Sequence, residues 1–571
     1  MRNCPNWGID MYVADFETTT DIDDCRVWAW AMCEVGDTDN FLYGNSIESF
    51  MMKMEELSKR NETIAFHNLK FDGEFILAYL LRNNFTHIID RNQVDDNTFS
   101  SLISDKGVFY EIEVIFKKFK TRLHHITFRD SLKVLPMSVD SIAKAFGLPM
   151  QKLSIDYDEY RPIGHTLTDE EIAYIHNDVV IVAEALRILH EQGLTKMTTA
   201  SNAITDYKNI IGKANFERWF PTPDYDADIR QSYKGGFTYA NPLYTNKIIG
   251  AGIVLDVNSL YPSMMYYKPL PYGEPIFYEG EYQPDNLYKV YVQILTCHFE
   301  LKPDHIPTIQ LKNTLSFIPT EYATSSKGMD ITLCLTSVDL QLFKDHYNLY
   351  NVEYHCGWKF KCSTILFKDY IDKWYAIKEQ ATLEGNKPLR QIAKLMLNSC
   401  YGRFAINPAV RNKIPVLNKD GSVGYVLGEP SIRKPLYIPV GSFITAWARD
   451  TTIRAAQKVY DRFLYADTDS LHLIGTELPT DLDISPTALG AWKHESTFTR
   501  AKYLRAKTYI EEIDGKINVT CAGLPAALHN QVTFDNFTTD AVYYGKLKPT
   551  HCEGGIVLTE TEFSIRPRNH R

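Results

Sequence analysis

The sequence lacks the long apolar segments of a membrane protein and the closely spaced cysteine pairs of a disulfide-rich one. No apolar run approaches the ~18 residues that a membrane-spanning helix needs. The first eight residues, Met-Arg-Asn-Cys-Pro-Asn-Trp-Gly, contain no apolar stretch, so we expect no signal peptide. The ten cysteines stand singly with no C-x-x-C pair, a spacing typical of reduced thiols in a cytosol.

An excess of positive charge is also missing, because the formal net charge is −10. Whole-chain charge bears on solubility, whereas phosphates are bound by local patches. Two basic patches are present. Residues 359–403 contain nine Lys/Arg against four Asp/Glu, and residues 493–507 contain five Lys/Arg against one Glu. The acidic total therefore does not exclude a nucleic-acid-binding protein.

The chain has no internal repeat and no low-complexity tract, which excludes a solenoid. Its 571 residues exceed what one hydrophobic core usually serves, so several domains are expected. Roughly the first 190 residues alternate strand and helix patterns, as in an α/β domain. A capping box at residues 168–171 predicts a helix over 172–190 that Gly193 can end.

The rest of the chain predicts a mixed α+β organisation. The apolar run 252–255 indicates a buried strand ending at Asp256. Residues 311–365 have an irregular, aromatic-rich pattern. Two antiparallel helices are expected at 367–383 and 389–404, joined by a short turn and with Pro388 near the start of the second. Residues 405–437 predict a hairpin-like insertion, and roughly the last 50 residues a small β-rich module.

A first group of acidic residues lies in the N-terminal region. Asp15 and Glu17 are two apart on a predicted strand and share a face. Asp72 is expected in a turn, and Tyr174 and Asp178 lie one helical turn apart. Each feature alone is compatible with a solvated surface. Four carboxylates within ~4 Å would repel one another by roughly 4 kcal/mol per pair at an effective dielectric of 20, so together they predict two bound divalent cations.

A second acidic group is expected further along the chain. Asp256 follows the buried strand, while Asp467 and Asp469 lie between two apolar segments that predict a strand–turn–strand hairpin. A D-T-D turn alone could be only a turn. With Asp256 it suits phosphoryl transfer, in which Asp256 and Asp469 would bridge two Mg²⁺ ions and Asp467 would complete or orient the cluster.

Cationic and aromatic residues could complement this second group. Lys394, Asn398 and Tyr401, at offsets 0, +4 and +7, project from one helical face that suits a triphosphate, a sugar and a base. An ordinary amphipathic helix is the alternative explanation. Lys378 could add a phosphate contact. Lys507-Thr508-Tyr509 could hold a primer terminus, and the glycines of Tyr233-Lys234-Gly235-Gly236 permit close approach to a nucleic-acid strand.

Eight motifs in order closely resemble those of family B DNA polymerases, in particular the protein-primed replicases of small tailed Bacillus phages. They are D-F-E-T, H-N-L-K-F-D-G, Y-x-x-x-D, Y-K-G-G, D-V-N-S-L-Y-P, K-L-M-L-N-S-C-Y-G, Y-A-D-T-D-S and K-T-Y. The resemblance implies a multi-domain α/β and α+β protein, with a DnaQ-like (RNase H-like) 3′→5′ exonuclease domain and a right-hand polymerase domain of palm, fingers and thumb.

The resemblance also implies domain boundaries. In chain order these are the exonuclease domain at 1–195, the first part of the palm at 196–267, an insertion docking a terminal protein at 268–365, the fingers at 366–404, a second insertion for strand displacement and processivity at 405–437, the second part of the palm at 438–521 and the thumb at 522–571.

Roles for individual residues follow from the same resemblance. Asp15, Glu17, Asp72 and Asp178 would carry the exonuclease metals, Tyr174 would orient the attacking water and Lys152 would assist. The single-stranded 3′ end would be held by Thr18, Asn68, Phe71, Ser131 and Leu132. In the polymerase domain Val257 would join the three aspartates at the metals, Tyr261 would exclude ribonucleotides, and DNA would be bound by Tyr233, Gly235, Gly236, Ser259, Arg505, Lys507 and Tyr509.

The implied activity is protein-primed, processive, strand-displacing synthesis with proofreading, which replicates a linear phage genome in the cytoplasm of an infected bacterial host. The implied cofactor is Mg²⁺, two ions per active site, with Mn²⁺ able to substitute. Expected partners are template and primer DNA, dNTPs, a terminal protein and a single-stranded DNA-binding protein, with a monomeric enzyme and no membrane. Two alternatives remain: a family B polymerase that extends only nucleic-acid primers, and an exonuclease-only DNA-binding protein.

Three departures from the family pattern are visible. Arg403 stands where Lys often follows Tyr-Gly, and Cys400 stands where Leu is common. The segment between Tyr509 and Cys521 is shorter than in most members. The departures leave the predicted chemistry intact and bear on the contacts of the thumb.

Overall fold

A computed structural model describes residues 11–222, 224–311, 316 and 321–566. The first eight residues, which suggested that no signal peptide is present, lie outside this range. In the described part of the chain, no helix combines the length and apolar character needed to cross a membrane.

The N-terminal region is an eight-stranded mixed sheet with helices on its faces, as the α/β pattern predicts. Strand β1 is central and pairs in parallel with β4 and antiparallel with β2. The long helix α4 begins at the predicted capping box, in which the Thr168 side chain accepts from the Glu171 N–H and the Glu171 side chain accepts from the Thr168 N–H. Spatial order is β3-β2-β1-β4-β8-β7-β6-β5. The elements are β1 Met11–Thr18, β2 Val27–Glu34, β3 Asp37–Gly44, α1 Ile47–Leu57, β4 Thr63–Phe66, α2 Leu69–Arg82, β5 Thr86–His87, β6 Thr98–Ile103, β7 Phe109–Lys118, β8 Leu123–Asp130, α3 Val139–Ala145 and α4 Asp169–Glu191.

The elements from residue 199 onward are called the second body here. They include a four-stranded sheet built from residues 270–363, which is called the inserted sheet. Strand β11 is buried along residues 252–255, as predicted from its apolar run. The inserted sheet has the order β12-β15-β13-β14. The elements are α5 Thr199–Ile211, α6 Lys213–Trp219, α7 Asp226–Arg230, β9 Thr238–Ala240, β10 Ile248–Ile249, β11 Gly252–Val257, α8 Leu260–Tyr267, β12 Leu270–Glu279, β13 Val290–Leu301, β14 Ile331–Thr336, α9 Ser337–His346 and β15 Tyr347–Ser363.

Residues 311–365, whose sequence pattern is irregular, contain regular elements from residue 331 onward. This part forms β14, α9 and the 17-residue strand β15. The pairing of β13 with β15 shifts register between Ile294 and Leu295 and again between Thr296 and His298. Such irregularities break the two-residue alternation by which a strand is recognised in a sequence, so the pattern appeared irregular.

The remaining chain contains the predicted helical pair and the two hairpins that were predicted around residues 405–437 and around the D-T-D turn. Helix α11 starts earlier than expected, at Lys387, and ends at Ser399, followed by a 3₁₀ turn at Tyr401–Arg403. The predicted hairpin in 405–437 is β17–β18, and the hairpin around the D-T-D turn is β20–β21. The elements are α10 Lys368–Leu383, α11 Lys387–Ser399, β16 Ala409–Val410, β17 Lys413–Leu417, β18 Val423–Leu427, β19 Ser431–Ile432, α12 Ile438–Lys458, β20 Phe463–Asp467, β21 Ser470–Ile474, β22 Trp492–Phe498, β23 Arg500–Arg505, β24 Thr508–Ile513, β25 Lys516–Cys521, β26 Val542–Cys552 and β27 Gly555–Ser564.

Two sheets of this second body position its acidic residues. One has five strands in the order β22-β11-β21-β20-β9, and the other has four in the order β10-β23-β24-β25. Because β11 pairs with β21, Asp256 lies opposite Ser470 and beside the D-T-D turn. Helix α12 is buried along most of its length. The C-terminal β-rich module is the hairpin β26–β27, as expected.

Candidate active sites

Three carboxylates of the N-terminal region meet at one point. Asp15 and Glu17 project from one face of β1, and Asp178 projects from α4, which lies against that strand. One oxygen of each lies within 4.8 Å of the others. Desolvation and the neighbouring Asp178 raise the pKa of Asp15 to about 7, and desolvation with Asp15 raises the pKa of Glu17 well above its usual range. Clustered carboxylate oxygens with this mutual repulsion suit a hard divalent cation.

Asp72 lies next to this group and differs from the prediction in its local structure. It occupies the first turn of helix α2 and not a loop turn. Its Oδ1 accepts a hydrogen bond of 3.2 Å from the Phe16 N–H, between Asp15 and Glu17. Within the described residues it is not part of the three-carboxylate group, yet its charge contributes to the raised pKa of Glu17. The structure thus brings three predicted carboxylates together and places the fourth beside them.

Lys152 and Tyr174 line the same group. Lys152 Nζ lies 2.7 Å from Asp178 Oδ2 and 5.6 Å from the centre of the Tyr174 ring. The Tyr174 hydroxyl lies 2.5 Å from the Tyr157 hydroxyl. Tyr157 was not predicted as a site residue, although it follows Lys152 by five positions. Its exposed ring therefore belongs to the surroundings of Tyr174.

The residues expected to hold a single-stranded 3′ end surround a buried aspartate that was also missed. Asp130 Oδ1 accepts from the Asn68 N–H at 3.1 Å and from the Leu132 N–H at 3.0 Å. Asn68 has a positive φ of 77°, so this interaction secures a strained turn. Ser131 is buried, and its hydroxyl donates to the Phe66 carbonyl. Ser131 therefore supports the loop in this structure, whereas Thr18, Asn68, Phe71 and Leu132 are at least partly exposed.

The second acidic group is assembled by the five-stranded sheet. The Val257 N–H donates to the Asp469 carbonyl at 2.8 Å, which places Asp256 beside Asp469. Desolvation and the Asp469 carboxylate raise the pKa of Asp256 to about 6. Two neighbouring carboxylates at the end of a buried strand can share divalent cations.

Asp467 has a different environment from the other two aspartates. Its Oδ1 accepts from Lys507 Nζ at 2.6 Å and from Thr238 Oγ1 at 3.0 Å. One side of this carboxylate is therefore neutralised by a cation of the protein. Of the two roles expected for Asp467, the contacts favour orientation of the cluster.

Comparison with known proteins identifies the family. The family model for DNA polymerase type B, organellar and viral, matches residues 53–163 and 154–485. The DNA polymerase of Bacillus phage phi29 is 47% identical over 97% of this chain and 99% of its own length, and that of Streptococcus phage Cp-1 is 34% identical over 98% and 99%. A solved phi29 DNA polymerase complexed with primer-template DNA and incoming nucleotide substrates has a TM-score of 0.91 at 45% identity, covering 97% of this chain and 100% of that one. This chain is a family B DNA polymerase.

The predicted nucleotide-binding residues of the polymerase lie on α8, α10, α11 and the 3₁₀ turn that follows α11. The rings of Tyr261 and Tyr401 stack with centroids 4.3 Å apart. Lys394 and Asn398 are exposed on the face of α11 opposite its buried residues, as the predicted spacing requires. Half-buried Lys378 has its pKa lowered, first by desolvation and then by three neighbouring cations. Those neighbours are Arg390, Lys394 and Lys493.

Arg390 and Lys493 are therefore part of a cationic surface that sequence reasoning did not assign. Lys493 lies directly opposite Asp256 in the pairing of β11 with β22. Both residues belong to the two basic patches found in the sequence. Lys378 and the three cations that act on it electrostatically indicate a surface that is stabilised by polyanions.

The Y-K-G-G motif of the polymerase packs against the D-T-D turn. A Cβ at Gly236 would lie 2.5 Å from Thr468 Oγ1, whereas a Cβ at Gly235 would meet nothing within 4 Å. Thr468 itself has a positive φ of 57°. Thr468 therefore leaves no space for a side chain at Gly236, and this constraint holds whether or not DNA also approaches the glycine. Half-buried Tyr233 lies near enough to Tyr401 for the two hydroxyls to interact electrostatically.

A buried ion pair links this motif to the inserted sheet. Arg449 of α12 donates to the carbonyls of Lys234 and Gly235 at 2.6 and 2.7 Å. The same guanidinium contacts both oxygens of Asp339 in α9 at 3.0 and 2.7 Å. One residue of α12 thus holds the motif and helix α9 together.

The K-T-Y motif lies at the edge of the second acidic group. Lys507 has a positive φ of 57°, and its N–H donates to the Tyr465 hydroxyl at 2.9 Å. The rings of Tyr465 and Tyr509 are 4.8 Å apart. Ser259, with a positive φ of 55°, precedes α8, and Arg505 ends β23. Ser259, Arg505, Lys507 and Tyr509 all lie within the second body, and their contacts with DNA stay predictions.

Proposed function

We propose that this polymerase transfers deoxynucleotides at the Asp256–Asp469 site, using two Mg²⁺ ions for which Mn²⁺ can substitute. The observation that carries the proposal is that the Asp256 carboxylate lies near that of Asp469 and opposite Lys493, which belongs to the cationic surface of Lys378, Arg390, Lys394 and Lys493. Cations on one side and metal-binding carboxylates on the other suit a triphosphate that loses pyrophosphate. When bound, the metals neutralise charge on the triphosphate and lower the pKa of the primer hydroxyl.

The remaining residues of this site are proposed to position DNA and nucleotide. The solved phi29 polymerase complex contains primer-template DNA and incoming nucleotides, and we extend both ligands to this chain. Tyr261, stacked on Tyr401, would lie beneath the sugar and exclude a 2′-hydroxyl. Val257 would offer its carbonyl to a metal. Tyr233, Gly235, Gly236, Ser259, Arg505, Lys507 and Tyr509 would contact template and primer.

We also propose a separate 3′→5′ proofreading exonuclease at Asp15, Glu17 and Asp178. The convergence of the three carboxylates within 4.8 Å supports a metal-dependent hydrolysis. Asp72 would complete the metal environment, Tyr174 would orient the water, and Lys152, paired with Asp178, would support charge in the transition state. The single-stranded end would be held by Thr18, Asn68, Phe71 and Leu132, with Ser131 supporting the loop.

The domain division proposed above assigns distinct tasks to segments of the chain. Residues 1–195 would form the exonuclease domain, 196–267 with 438–521 the palm, 366–404 the fingers and 522–571 the thumb. The insertion 268–365 would dock a terminal protein that primes synthesis, and 405–437 would help to enclose DNA. Direct contacts between three of these segments support enclosure: Glu553 binds Arg82 at 2.7 Å, and the Tyr425 hydroxyl donates to Glu74 at 2.8 Å.

Separation of the two sites is tested by two variants measured in both assays. Asp469→Ala should abolish primer extension and leave exonuclease activity intact. Asp15→Ala combined with Asp72→Ala should spare extension and abolish 3′ degradation. The physical reason is that the two acidic groups lie on different sheets. Parallel loss of both activities in either variant would contradict the assignment.

Protein priming needs a separate experiment. A candidate terminal protein is incubated with the polymerase, dATP and Mn²⁺, and a covalent protein–nucleotide adduct is the expected result. Extension of a DNA primer without any adduct would favour the alternative of a polymerase that uses only nucleic-acid primers. Extension on a primed circle beyond one template length would establish strand displacement. The proposed setting is a monomer in the cytoplasm of an infected bacterial host, aided by a single-stranded DNA-binding protein.

A further inference from the structure

A buried polar cluster lies beneath the polymerase site and is not used by the chemistry proposed above. It consists of His472, Tyr503 and Glu511, which are 2%, 0% and 5% exposed. Glu511 Oε1 accepts from the Tyr503 hydroxyl at 2.7 Å and lies 2.5 Å from His472 Nδ1. The His472 Nδ1 also lies 3.1 Å from the Tyr503 hydroxyl, so the three side chains contact one another. Burying such groups is unfavourable unless every partner is in place.

The cluster joins two sheets that are separate in the hydrogen-bonded strand order. His472 lies on β21 of the five-stranded sheet, three residues after Asp469. Tyr503 and Glu511 lie on β23 and β24 of the four-stranded sheet. Over the described residues, these sheets share no strand. The hydrogen bond between Glu511 and His472 therefore links β24, which carries Tyr509, to β21, which follows the D-T-D turn.

An aromatic layer connects the cluster to the site above it. The Tyr503 ring stacks on the Tyr465 ring at 5.5 Å and on the Tyr509 ring at 5.4 Å. The Tyr465 hydroxyl accepts from the Lys507 N–H, and Lys507 Nζ contacts Asp467. A shift of Tyr503 would therefore be transmitted to the K-T-Y motif and to the carboxylates.

We propose that Glu511 and His472 are positioning residues for nucleotide transfer, which set the distance between the metal-binding carboxylates and the primer-holding K-T-Y motif. The inference rests on the proposed polymerase site. Neither residue touches a reacting group. Nucleotidyl transfer requires the primer hydroxyl and the metal-bound phosphate to align within a few tenths of an ångström, and a misplacement of ~1 Å can lower the rate by about 100-fold.

The test compares Glu511→Ala with Glu511→Gln, which keeps an acceptor for Tyr503 and a side chain that can bond to His472. We expect Glu511→Ala to lower kcat for primer extension by about 10- to 100-fold with little change in the KM for dNTP. Glu511→Gln should recover most of the rate. The matched control is Glu512→Ala on the same strand, whose carboxylate pairs with Arg500 at the surface, and it should extend at the rate of the unmodified chain.

Exonuclease activity on a single-stranded oligonucleotide is measured for every variant, because that site lies in another domain and reports on folding. Unchanged extension by Glu511→Ala, or a parallel loss of extension and degradation, overturns the inference. His472→Gln provides a second variant, and it should also lower kcat without affecting degradation. If Asp469→Ala still extends primers, the proposed polymerase site itself is wrong. If Asp469→Ala is inactive while Glu511→Ala and His472→Gln are fully active, only the positioning role fails.

Discussion

Replacing Glu17 by Gln should raise the thermal stability of the N-terminal domain when divalent cations are removed. Glu17 faces the carboxylates of Asp15 and Asp178 at no more than 4.8 Å. At that separation and an effective dielectric of 20, each pair of unit charges repels by about 3 kcal/mol. Lys152 offsets part of this repulsion through Asp178. The free energy of unfolding should increase by a net amount on the order of 2 kcal/mol, which corresponds to a rise of about 4–8 °C in the unfolding temperature of a domain of this size.

The assay is calorimetry over a range of alkaline pH, because the pKa of Asp15 is raised to about 7 and that of Glu17 well above its usual range; the difference between the variant and the unmodified chain should grow with pH as both carboxylates become ionised. In EDTA the Glu17→Gln variant should unfold at a higher temperature than the unmodified chain. Added Mn²⁺ should raise the unfolding temperature of the unmodified chain, because a concentration of 100 times the dissociation constant increases the free energy of unfolding by about 2.7 kcal/mol. The unfolding temperature of the Glu17→Gln variant should rise much less with Mn²⁺, because the variant has lost a carboxylate that binds the metal.

The matched control is Glu55→Gln, which removes an exposed carboxylate from helix α1 of the same domain. Glu55→Gln should change neither the unfolding temperature in EDTA nor its increase with Mn²⁺. An equal or lower unfolding temperature for Glu17→Gln in EDTA, together with an undiminished gain with Mn²⁺, would refute the reasoning. The carboxylates would then not be a strained group relieved by cations.

Three further predictions concern other parts of the chain. Gly236→Ala should displace Thr468, whose Oγ1 lies 2.5 Å from the added Cβ, and lower extension by about 10- to 100-fold while degradation of single strands is retained. Desolvation raises the pKa of Glu74 from 4.5 to about 7, so the folded state binds the extra proton and stability falls as pH rises across this window. Glu74→Gln should make the fall in unfolding temperature smaller, and the remainder comes from Asp15 and Asp256, whose pKa values are also raised. Asp339→Asn leaves the buried Arg449 without its counter-charge and should destabilise the protein by about 3 kcal/mol in thermal unfolding.

Local spacing was sufficient to predict the parts of the sites that lie on one element. Asp15 and Glu17 share a face because strand side chains alternate with a period of two. Tyr174 and Asp178, or Lys394 and Asn398, share a helical face because they are four residues apart. The capping box before α4 and the hairpin around the D-T-D turn follow from equally local rules. The order of the motifs then indicated the family, which the comparisons show.

Tertiary packing decided how these elements meet. The sequence could not place Asp130 beneath Asn68, bring Tyr157 to Tyr174 or turn Asp467 toward Lys507, because each contact joins residues from different elements. The regular structure of β15 was hidden by its register shifts. Periodicity depends on a few neighbouring dihedral angles, whereas these contacts depend on which faces are buried together. The residue types and their spacing therefore came from the sequence alone, and the distances and charges that make two sites came only from the folded chain.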